Sequence, residues 1–278
     1  MSTQHTPFPP FVTKVKRVAQ VSPSYVRITL GGDKLEHFAP HGNDHRIKLV
    51  LQHADGSYGD FGIKDSPPPS LNDWYSRWRS LADAERNPIR TYTPSAVRPD
   101  EREIDIDFVL HEPAGPATAW AASARPGDEL IVVGPDVRAE DSTGGMDFQP
   151  RGARRLLLAA DESGLPAVRN ILQTLPETSA ASVFLEVPTA ADCVPMPAGN
   201  TDVVVTWLVR GELPYGERLT QAIDAWAVAA EISGSFYAWV AGESTTVKTI
   251  RRHLVRQCDL PPSSVTFSGY WKLGSAES

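Results

Sequence analysis

The hydrophobic rhythm of the chain changes near its middle, and this change constrains the fold more than any other feature. Up to about residue 135, short segments that alternate between apolar and polar residues are separated by Gly, Asp and Pro turns. Beyond about residue 153, nearly continuous apolar runs alternate with helical segments. A chain of 278 residues with two such rhythms is expected to form an antiparallel β domain followed by a parallel α/β domain.

The β half is clearest at Glu103 to Leu110, where every second residue is apolar and one face is expected to be buried in a barrel or sandwich. Further strands are predicted at Val21 to Leu30, Ile47 to Gln52 and Glu129 to Val133, and a helix at Pro116 to Arg125. The stretch from Asp65 to Asn87 is too long for a hairpin turn, so we expect a loop with a short helix whose tryptophans, Trp74 and Trp78, serve packing.

The second half predicts a parallel sheet covered by helices, because its strands are apolar on both faces. The predicted strands are Arg155 to Ala160, Ser182 to Val187, Asp202 to Leu208, Phe236 to Ala241 and Ser264 to Phe267. We predict a flexible N-terminus at 1–10, a β domain at 11–140, a linker at 141–152 and an α/β domain at 153–278.

Composition excludes several classes of function. The formal net charge of −7 argues against nucleic-acid binding, which needs a broad field of Lys and Arg. Two separate cysteines, Cys193 and Cys258, suggest neither a disulfide framework nor a thiolate metal site, and the spacing of the histidines fits no metal ligand pattern. No apolar run resembles a signal or a membrane span, so we expect a cytoplasmic protein that binds no membrane.

Two segments of the β half suit a flavin nucleotide. In Arg90-Thr91-Tyr92-Thr93, the alternation of an extended chain puts Arg90 and Tyr92 on one face, where a guanidinium suits a phosphate and a phenol ring suits a planar heterocycle. In the run from His111 to Ala121, Gly115 and Pro116 predict a helix start whose free amides attract a pyrophosphate. An ordinary surface arginine and an ordinary strand-to-helix turn are the alternative interpretations.

Together these segments resemble the flavin-binding signature of ferredoxin-reductase-like enzymes, and their detail is most similar to the siderophore-interacting protein family. The resemblance continues through the turn at Asp161 to Ala167, the run Trp239 to Glu243 and the run Ser268 to Gly274, and it spans about residues 11 to 274. It implies an antiparallel Greek-key β-barrel that binds FAD, a parallel-sheet α/β domain that binds NADPH or NADH, and reduction of a ferric siderophore.

The resemblance also implies roles for individual residues. The predicted cofactor-binding residues are Arg90, Thr91, Tyr92, Thr93, Asp107, His111, Gly115, Ala117, Thr118, Trp120, Asp161, Glu162, Ser163, Gly242, Glu243, Tyr270 and Trp271. No catalytic acid or nucleophile is predicted, because the cofactor carries the electrons. An anionic ferric complex would need a local basic pocket, for which Lys48 and Lys272 are the main candidates and Arg46, Arg251 and Arg252 are weaker ones.

The chain departs from the family's pattern at two places. After Thr93 it continues Pro94-Ser95-Ala96-Val97-Arg98, where the family carries an aliphatic residue and an arginine, so that arginine's role does not transfer safely to Arg98. The Asp161 turn lacks a G-x-G-x-x-G motif, and no cation follows Val187 to bind a 2′-phosphate, which leaves Arg210 as the candidate and both NADPH and NADH open.

Two other functions compete with ferric-siderophore reduction. One is a reductase that passes electrons to a ferredoxin or to free flavin, although this acidic composition offers no obvious basic docking face. The other is a module that binds flavin or siderophore without turnover. We expect a monomer in each case.

Overall fold

The structure, a computed structural model, describes residues 5–67, 69–197, 202–230, 232 and 235–275. It divides into two compact units, of which the first contains residues up to Val21 and Tyr25–Met146, and the second contains Ser22–Ser24 and the residues from Asp147 onward. The division falls within the predicted linker at 141–152.

The first unit is built on a seven-stranded antiparallel sheet with the strand order β4-β3-β7-β1-β2-β6-β5. Its elements are β1 (Pro10–Ser22), β2 (Tyr25–Gly31), β3 (Ile47–Val50), α1 (Leu71–Ser80), β4 (Ile89–Tyr92), β5 (Ala96–Arg98), β6 (Glu103–Val109), α2 (Pro116–Ser123) and β7 (Glu129–Val133). The predicted antiparallel class is confirmed, whereas closure of the sheet into a barrel stays a prediction, because the strand pairing leaves β4 and β5 as the two ends of the order.

The β6 strand is buried on both faces, which corrects the prediction of one buried face. Ile104 and its apolar neighbours fill the core as expected. On the opposite face, Asp105 and Asp107 are each only 6% exposed. Their carboxylates bind Arg98 and Arg27 respectively. Paired charges of this kind satisfy buried carboxylates that the alternation alone would assign to solvent.

The predicted short helix within the Asp65 to Asn87 stretch is present as α1. Ser70 caps it by accepting a hydrogen bond from the Asp73 amide. Trp74 is fully buried and Trp78 nearly so, and the Trp78 indole N–H donates to the Asn87 carbonyl at 3.0 Å. Both tryptophans belong to an apolar cluster, which confirms the prediction that they serve packing.

The second unit contains a five-stranded parallel sheet in the order β10-β9-β8-β11-β12. Its elements are β8 (Arg155–Ala160), α3 (Leu165–Thr174), β9 (Ala180–Val187), β10 (Val203–Val209), α4 (Glu217–Ala229), β11 (Phe236–Glu243), α5 (Ser244–Arg256) and β12 (Val265–Trp271). The order reverses between β8 and β11, the place in such sheets where ligands bind beyond the carboxyl ends of the strands. The predicted α/β class is confirmed.

The helix α5 illustrates how the sequence produces this unit. Val247, Ile250 and Leu254 recur at helical spacing and are buried against the sheet. Glu243, the last residue of β11, caps the helix by accepting hydrogen bonds from the amides of Thr245 and Thr246. The start of α5 is thereby fixed at the carboxyl edge of the sheet.

Candidate functional site

The predicted flavin strand is β4, which pairs with β3 so that Arg90 lies opposite Leu49. The Arg90 guanidinium donates to the Ile89 carbonyl at 2.8 Å, and within the described residues it has no carboxylate partner. The Tyr92 ring packs against Phe108 with the ring centres 4.8 Å apart. Burial raises the pKa of Tyr92 above its ordinary value, and the Arg90 charge opposes this only in part. The end of β4 therefore carries the neutral phenol of Tyr92 and the Arg90 guanidinium, which has no carboxylate partner among the described residues.

The hydroxyl groups that follow β4 lack partners. Thr93 Oγ1 and Ser95 Oγ are both buried without a hydrogen-bond partner within the described residues. A buried polar group left unpaired costs about 1–3 kcal/mol, so a ligand that supplies partners would be favoured here. Sequence reasoning named Thr93 and missed Ser95, although Ser95 stands at the departure from the family's pattern.

The helix α2 begins as predicted, with Gly115 at the N-cap and Pro116 in its first turn. No side chain caps this end. The amides of Ala117 and Thr118 lie in the first turn, where no intrahelical acceptor exists. A Cβ placed on Gly115 would meet nothing within 4 Å, so the approach to these amides is open. This arrangement suits a pyrophosphate.

Other predicted residues of the first unit have different surroundings. Thr118 donates its hydroxyl to the Val109 carbonyl at 3.1 Å, and the Trp120 ring packs on Phe108 at 5.6 Å. The ring contacts of Tyr92 and Trp120 on the same phenylalanine bring β4 and α2 together. His111 is exposed, and its role stays a prediction.

Two arginines of the first unit are bound to carboxylates of the protein itself. Asp107 accepts from Arg27 Nε at 2.7 Å and from Nη2 at 2.8 Å, so its carboxylate is already paired. Arg98 donates to both oxygens of Asp105 at 2.8 Å and also binds Glu103. Arg98 is therefore held by protein carboxylates, so the role of the family's arginine does not transfer to it.

The first unit thus offers groups that fit FAD. Among the described residues, the Arg90 guanidinium lacks a carboxylate partner, the hydroxyls of Thr93 and Ser95 lack hydrogen-bond partners, and the amides at the start of α2 lack a side-chain cap. Aromatic rings lie beside them. The fit rests on unsatisfied polar groups, since a folded chain rarely buries them without a partner. The residues that would hold the phosphates are Arg90, Ala117 and Thr118.

The second unit gathers its predicted residues at the carboxyl edge of the sheet. Asp161 follows β8 and accepts hydrogen bonds from the Glu243 amide at 2.7 Å and from the Trp271 indole at 2.8 Å. Ser163 donates both its amide and its hydroxyl to the other carboxylate oxygen. Gly242 has φ of +143°, and a Cβ there would meet Asp161 Oδ2 at 2.5 Å. Glycine is therefore required where β11 passes the carboxylate.

The pKa values of two carboxyl groups at this edge are shifted in opposite directions. Burial, followed by the neighbouring Glu162 charge, raises the pKa of Asp161 to about 7, and hydrogen bonds from Ser163 and Trp271 oppose the rise. For Glu243, burial acts upward, but amide hydrogen bonds from the start of α5 and from Leu273 lower its pKa below the ordinary value.

Glu162 and Arg210 form a buried ion pair, which corrects the expectation that Arg210 binds a 2′-phosphate. Arg210 donates to both oxygens of Glu162 at 2.8 Å and to Glu186 at 3.3 Å. Glu186 also accepts from the amides of Gly216 and Leu219. A guanidinium shared by two buried carboxylates has little capacity left for a phosphate.

Tyr270 and Trp271 are consecutive at the end of β12, where the register with β11 shifts by one residue. Tyr270 packs edge-on against the fully buried Trp239 at 6.3 Å. Trp271 packs edge-on against Tyr215 at 4.8 Å. Tyr215, which the sequence did not single out, also lies under the Arg210 guanidinium at 4.1 Å.

The candidate substrate cations have distinct environments. Lys48 is exposed and donates to Thr91 Oγ1 at 2.7 Å, beside the flavin strand. Arg46 donates through Nε to the Gly145 carbonyl at 3.3 Å. In the second unit, Lys272 is exposed, and the Arg251 guanidinium lies 4.5 Å from the Phe267 ring. Arg252 is exposed.

In the part of the chain that the structure describes, none of the helices combines the length and apolar character needed to cross a bilayer. The same residues contain no group of three or more His, Cys, Asp and Glu side chains that could hold a metal ion.

The chain has a ferredoxin-reductase-like fold, in which an antiparallel-sheet unit is followed by a parallel-sheet α/β unit. A ferredoxin reductase of carbazole 1,9a-dioxygenase shares the fold with a TM-score of 0.65 at 15% identity, covering 95% of this chain and 70% of that one. Two family models then match: the siderophore-interacting FAD-binding domain over residues 14–139 and the siderophore-interacting protein model over residues 153–274. The chain belongs to the siderophore-interacting protein family, and the predicted flavin cofactor is confirmed.

Individual relatives agree with this assignment. The chain is 31% identical to an NADPH-dependent ferric-chelate reductase of Escherichia coli, over 92% of this chain and 91% of that one. It is 29% identical to the ferric vibriobactin reductase ViuB of Vibrio cholerae, over 94% and 89%. A siderophore utilization protein from T. fusca has a TM-score of 0.77 at 26% identity, covering 98% and 96%, and SipS from Aeromonas hydrophila has 0.75 at 25%, covering 97% and 94%.

Proposed function

We propose that this protein is a ferric-siderophore reductase that passes electrons from NADPH through FAD to the ferric complex, releasing ferrous iron. The observation that carries the proposal is a set of polar groups in the first unit. Among the described residues, the Arg90 guanidinium has no carboxylate partner, the hydroxyls of Thr93 and Ser95 have no hydrogen-bond partner, and the amides at the start of α2 have no side-chain cap. This set suits a flavin nucleotide in a family whose named relatives reduce ferric chelates.

When bound, FAD supplies the conversion of a two-electron hydride into single electrons, which ferric iron requires. The protein's own residues bind and orient. Arg90 and the amides of Ala117 and Thr118 would bind the phosphates, and the half-buried Tyr92 ring would form a neutral apolar surface near them. Ferrous iron has a lower charge and is held less tightly by the oxygen donors of a siderophore, so release follows reduction.

We further propose that Lys48 and Lys272 attract an anionic ferric siderophore, with Arg46 and Arg251 as secondary cations. Lys48 supports this best because it is exposed and its amine is held at Thr91, one residue from Arg90. On a chain of net charge −7, such local cations are needed to concentrate an anion. Arg46 and Arg251 are already engaged, with the Gly145 carbonyl and the Phe267 ring.

The proposed organisation is a flavin domain at 11–140, a linker at 141–152 and a nicotinamide domain at 153–278. We propose that the protein acts as a monomer in the cytoplasm, where NADPH is available. Light scattering of the purified protein tests the first statement, and cell fractionation tests the second. A stable dimer, or recovery with an extracytoplasmic fraction, would contradict them.

Stopped-flow absorbance at the flavin band tests the activity. The FAD-loaded protein should be bleached by NADPH and recover its absorbance on addition of a ferric catecholate, with ferrous iron trapped by a colorimetric chelator. Bleaching that is reversed only by a ferredoxin or free flavin would indicate a reductase for those acceptors. Tight binding of FAD and siderophore without bleaching would indicate a binding module.

The substrate cations are tested with Lys48→Ala, Lys272→Ala and the control Lys14→Ala, an exposed lysine on β1. The first two changes should raise the apparent KM for an anionic ferric complex several-fold while FAD content stays constant. The control should leave KM unchanged, and unchanged KM in all three proteins would remove this assignment.

A further inference from the structure

Asp161 is surrounded by hydrogen-bond donors. Its side chain is 3% exposed. One carboxylate oxygen accepts from the amide and hydroxyl of Ser163, and the other accepts from the Glu243 amide and the Trp271 indole. A carboxylate has about four acceptor positions, and all four are used here, which leaves none for a bound nucleotide.

The donors come from the ends of three strands. Ser163 follows β8, Glu243 ends β11 and Trp271 ends β12. The Asp161–Glu243 contact therefore spans the place where the strand order reverses, at the carboxyl edge that binds nucleotides in sheets of this kind.

Trp271 is held at its backbone and at its ring by different groups. Its carbonyl accepts from Ser244 Oγ at 2.9 Å, and the following chain is held where the Leu273 amide approaches Glu243 at 3.4 Å. An indole has a single donor, and this donor is given to Asp161 at 2.8 Å. Since the backbone contacts leave the side-chain torsions free, the hydrogen bond to Asp161 selects the orientation of the ring.

The Trp271 ring has a second contact, which leads back through Tyr215 and Arg210 to Glu162, the neighbour of Asp161. Tyr215 meets Trp271 edge-on at 4.8 Å and lies under Arg210, which is bound to Glu162. Two consecutive acidic residues after β8 thus support the Trp271 and Tyr215 rings, one directly and one through an arginine.

We propose that Asp161 is a positioning residue that fixes the ring plane of Trp271 at the carboxyl edge of the sheet, where NADPH binds. The inference rests on the proposed function in that it assigns the nucleotide to this edge. It replaces the prediction that Asp161 itself contacts the cofactor.

The orientation is tested in the protein without cofactors by following the indole N–H resonances of 15N-labelled protein. Trp271→Phe identifies the Trp271 resonance. Asp161→Ala removes all four acceptor positions, so the Trp271 indole loses its partner and its resonance should shift upfield or broaden. Asp161→Asn keeps the shape and one acceptor oxygen, so it can satisfy only two of the four donors. Ser268→Ala, which removes another hydrogen bond from β12 to a carboxylate, Asp147, should leave that resonance in place.

Kinetics of the FAD-loaded protein test the consequence. Asp161→Asn and Trp271→Phe should each slow flavin reduction by NADPH about tenfold, because small misplacements of positioning groups carry penalties of this order. The double variant should be no slower than the worse single variant, since both changes remove one interaction.

An unchanged Trp271 resonance in Asp161→Ala, or rate losses that multiply in the double variant, would overturn the proposal. If NADPH fails to reduce the flavin of the unmodified protein, the proposed function fails instead. The indole resonance would then still decide whether Asp161 holds Trp271.

Discussion

Replacement of Arg210 by Met should destabilise the second unit strongly. Arg210 makes three hydrogen bonds to two carboxylates, and the side chains of Arg210, Glu162 and Glu186 are 7%, 7% and 0% exposed. Methionine keeps much of the volume but leaves two buried negative charges without a counterion. Breaking a buried pair in this way costs about 3–5 kcal/mol in the free energy of unfolding.

The assay is urea unfolding of the protein without cofactors, with hydrogen exchange to assign the loss to β9 and β10. At a urea m-value of about 1–3 kcal/mol per molar, the midpoint should fall by about 1–5 M. Arg218→Met, a matched change at an exposed arginine on α4, should alter stability by no more than about 0.5 kcal/mol.

Removal of one of the two uncompensated carboxylates should restore part of the stability lost in Arg210→Met. Adding Glu162→Gln to Arg210→Met removes one uncompensated charge and should raise the midpoint again. If Arg210→Met lowers the free energy of unfolding by less than about 1 kcal/mol and raises the KM for NADPH but not for NADH, the reasoning is refuted. Arg210 would then again be the candidate ligand of the 2′-phosphate.

Three further predictions concern other residues. Arg90→Gln should weaken FAD binding about ten- to hundredfold in a flavin fluorescence titration, since charged hydrogen bonds contribute about 1.5–3 kcal/mol. The control Arg102→Gln, a change at an exposed arginine, should leave the affinity for FAD as it was. Equal affinities of the two variants would contradict the role of Arg90. Gly242→Ala should lower the melting temperature more than Gly152→Ala, because both have positive φ but only the first places a Cβ 2.5 Å from a carboxylate oxygen, and equal shifts would count against this. Burial, the largest effect on His45, lowers its pKa from 6.5 to about 4, so stability should fall as the pH drops from about 6.5 to 4, by up to about 3 kcal/mol. His45→Gln should lack this part of the pH dependence, and an identical profile in urea titrations would exclude His45 as its source.

Local patterns in the sequence were sufficient for much of the fold. The strands Glu129–Val133 and Arg155–Ala160 begin and end where the apolar runs predict, because burial of a short run depends on the run itself. The start of α2 at Gly115 and Pro116 followed from the conformational preferences of these two residues. The 13-residue β1 was not predicted, because much of its second half is exposed and polar and its assignment depends on pairing with distant strands.

Within the candidate site, the residue types and their order along the chain were visible in the sequence, whereas their partners were decided by the tertiary structure. Arg210 was a plausible phosphate ligand until the fold brought Glu162, 48 residues away, onto its guanidinium. Asp161 likewise became a support for Trp271, 110 residues away, because parallel strands collect their carboxyl ends at one edge. A charge in a sequence has no assigned partner, since the energy of an ion pair depends on distance and burial, and both are properties of the folded chain.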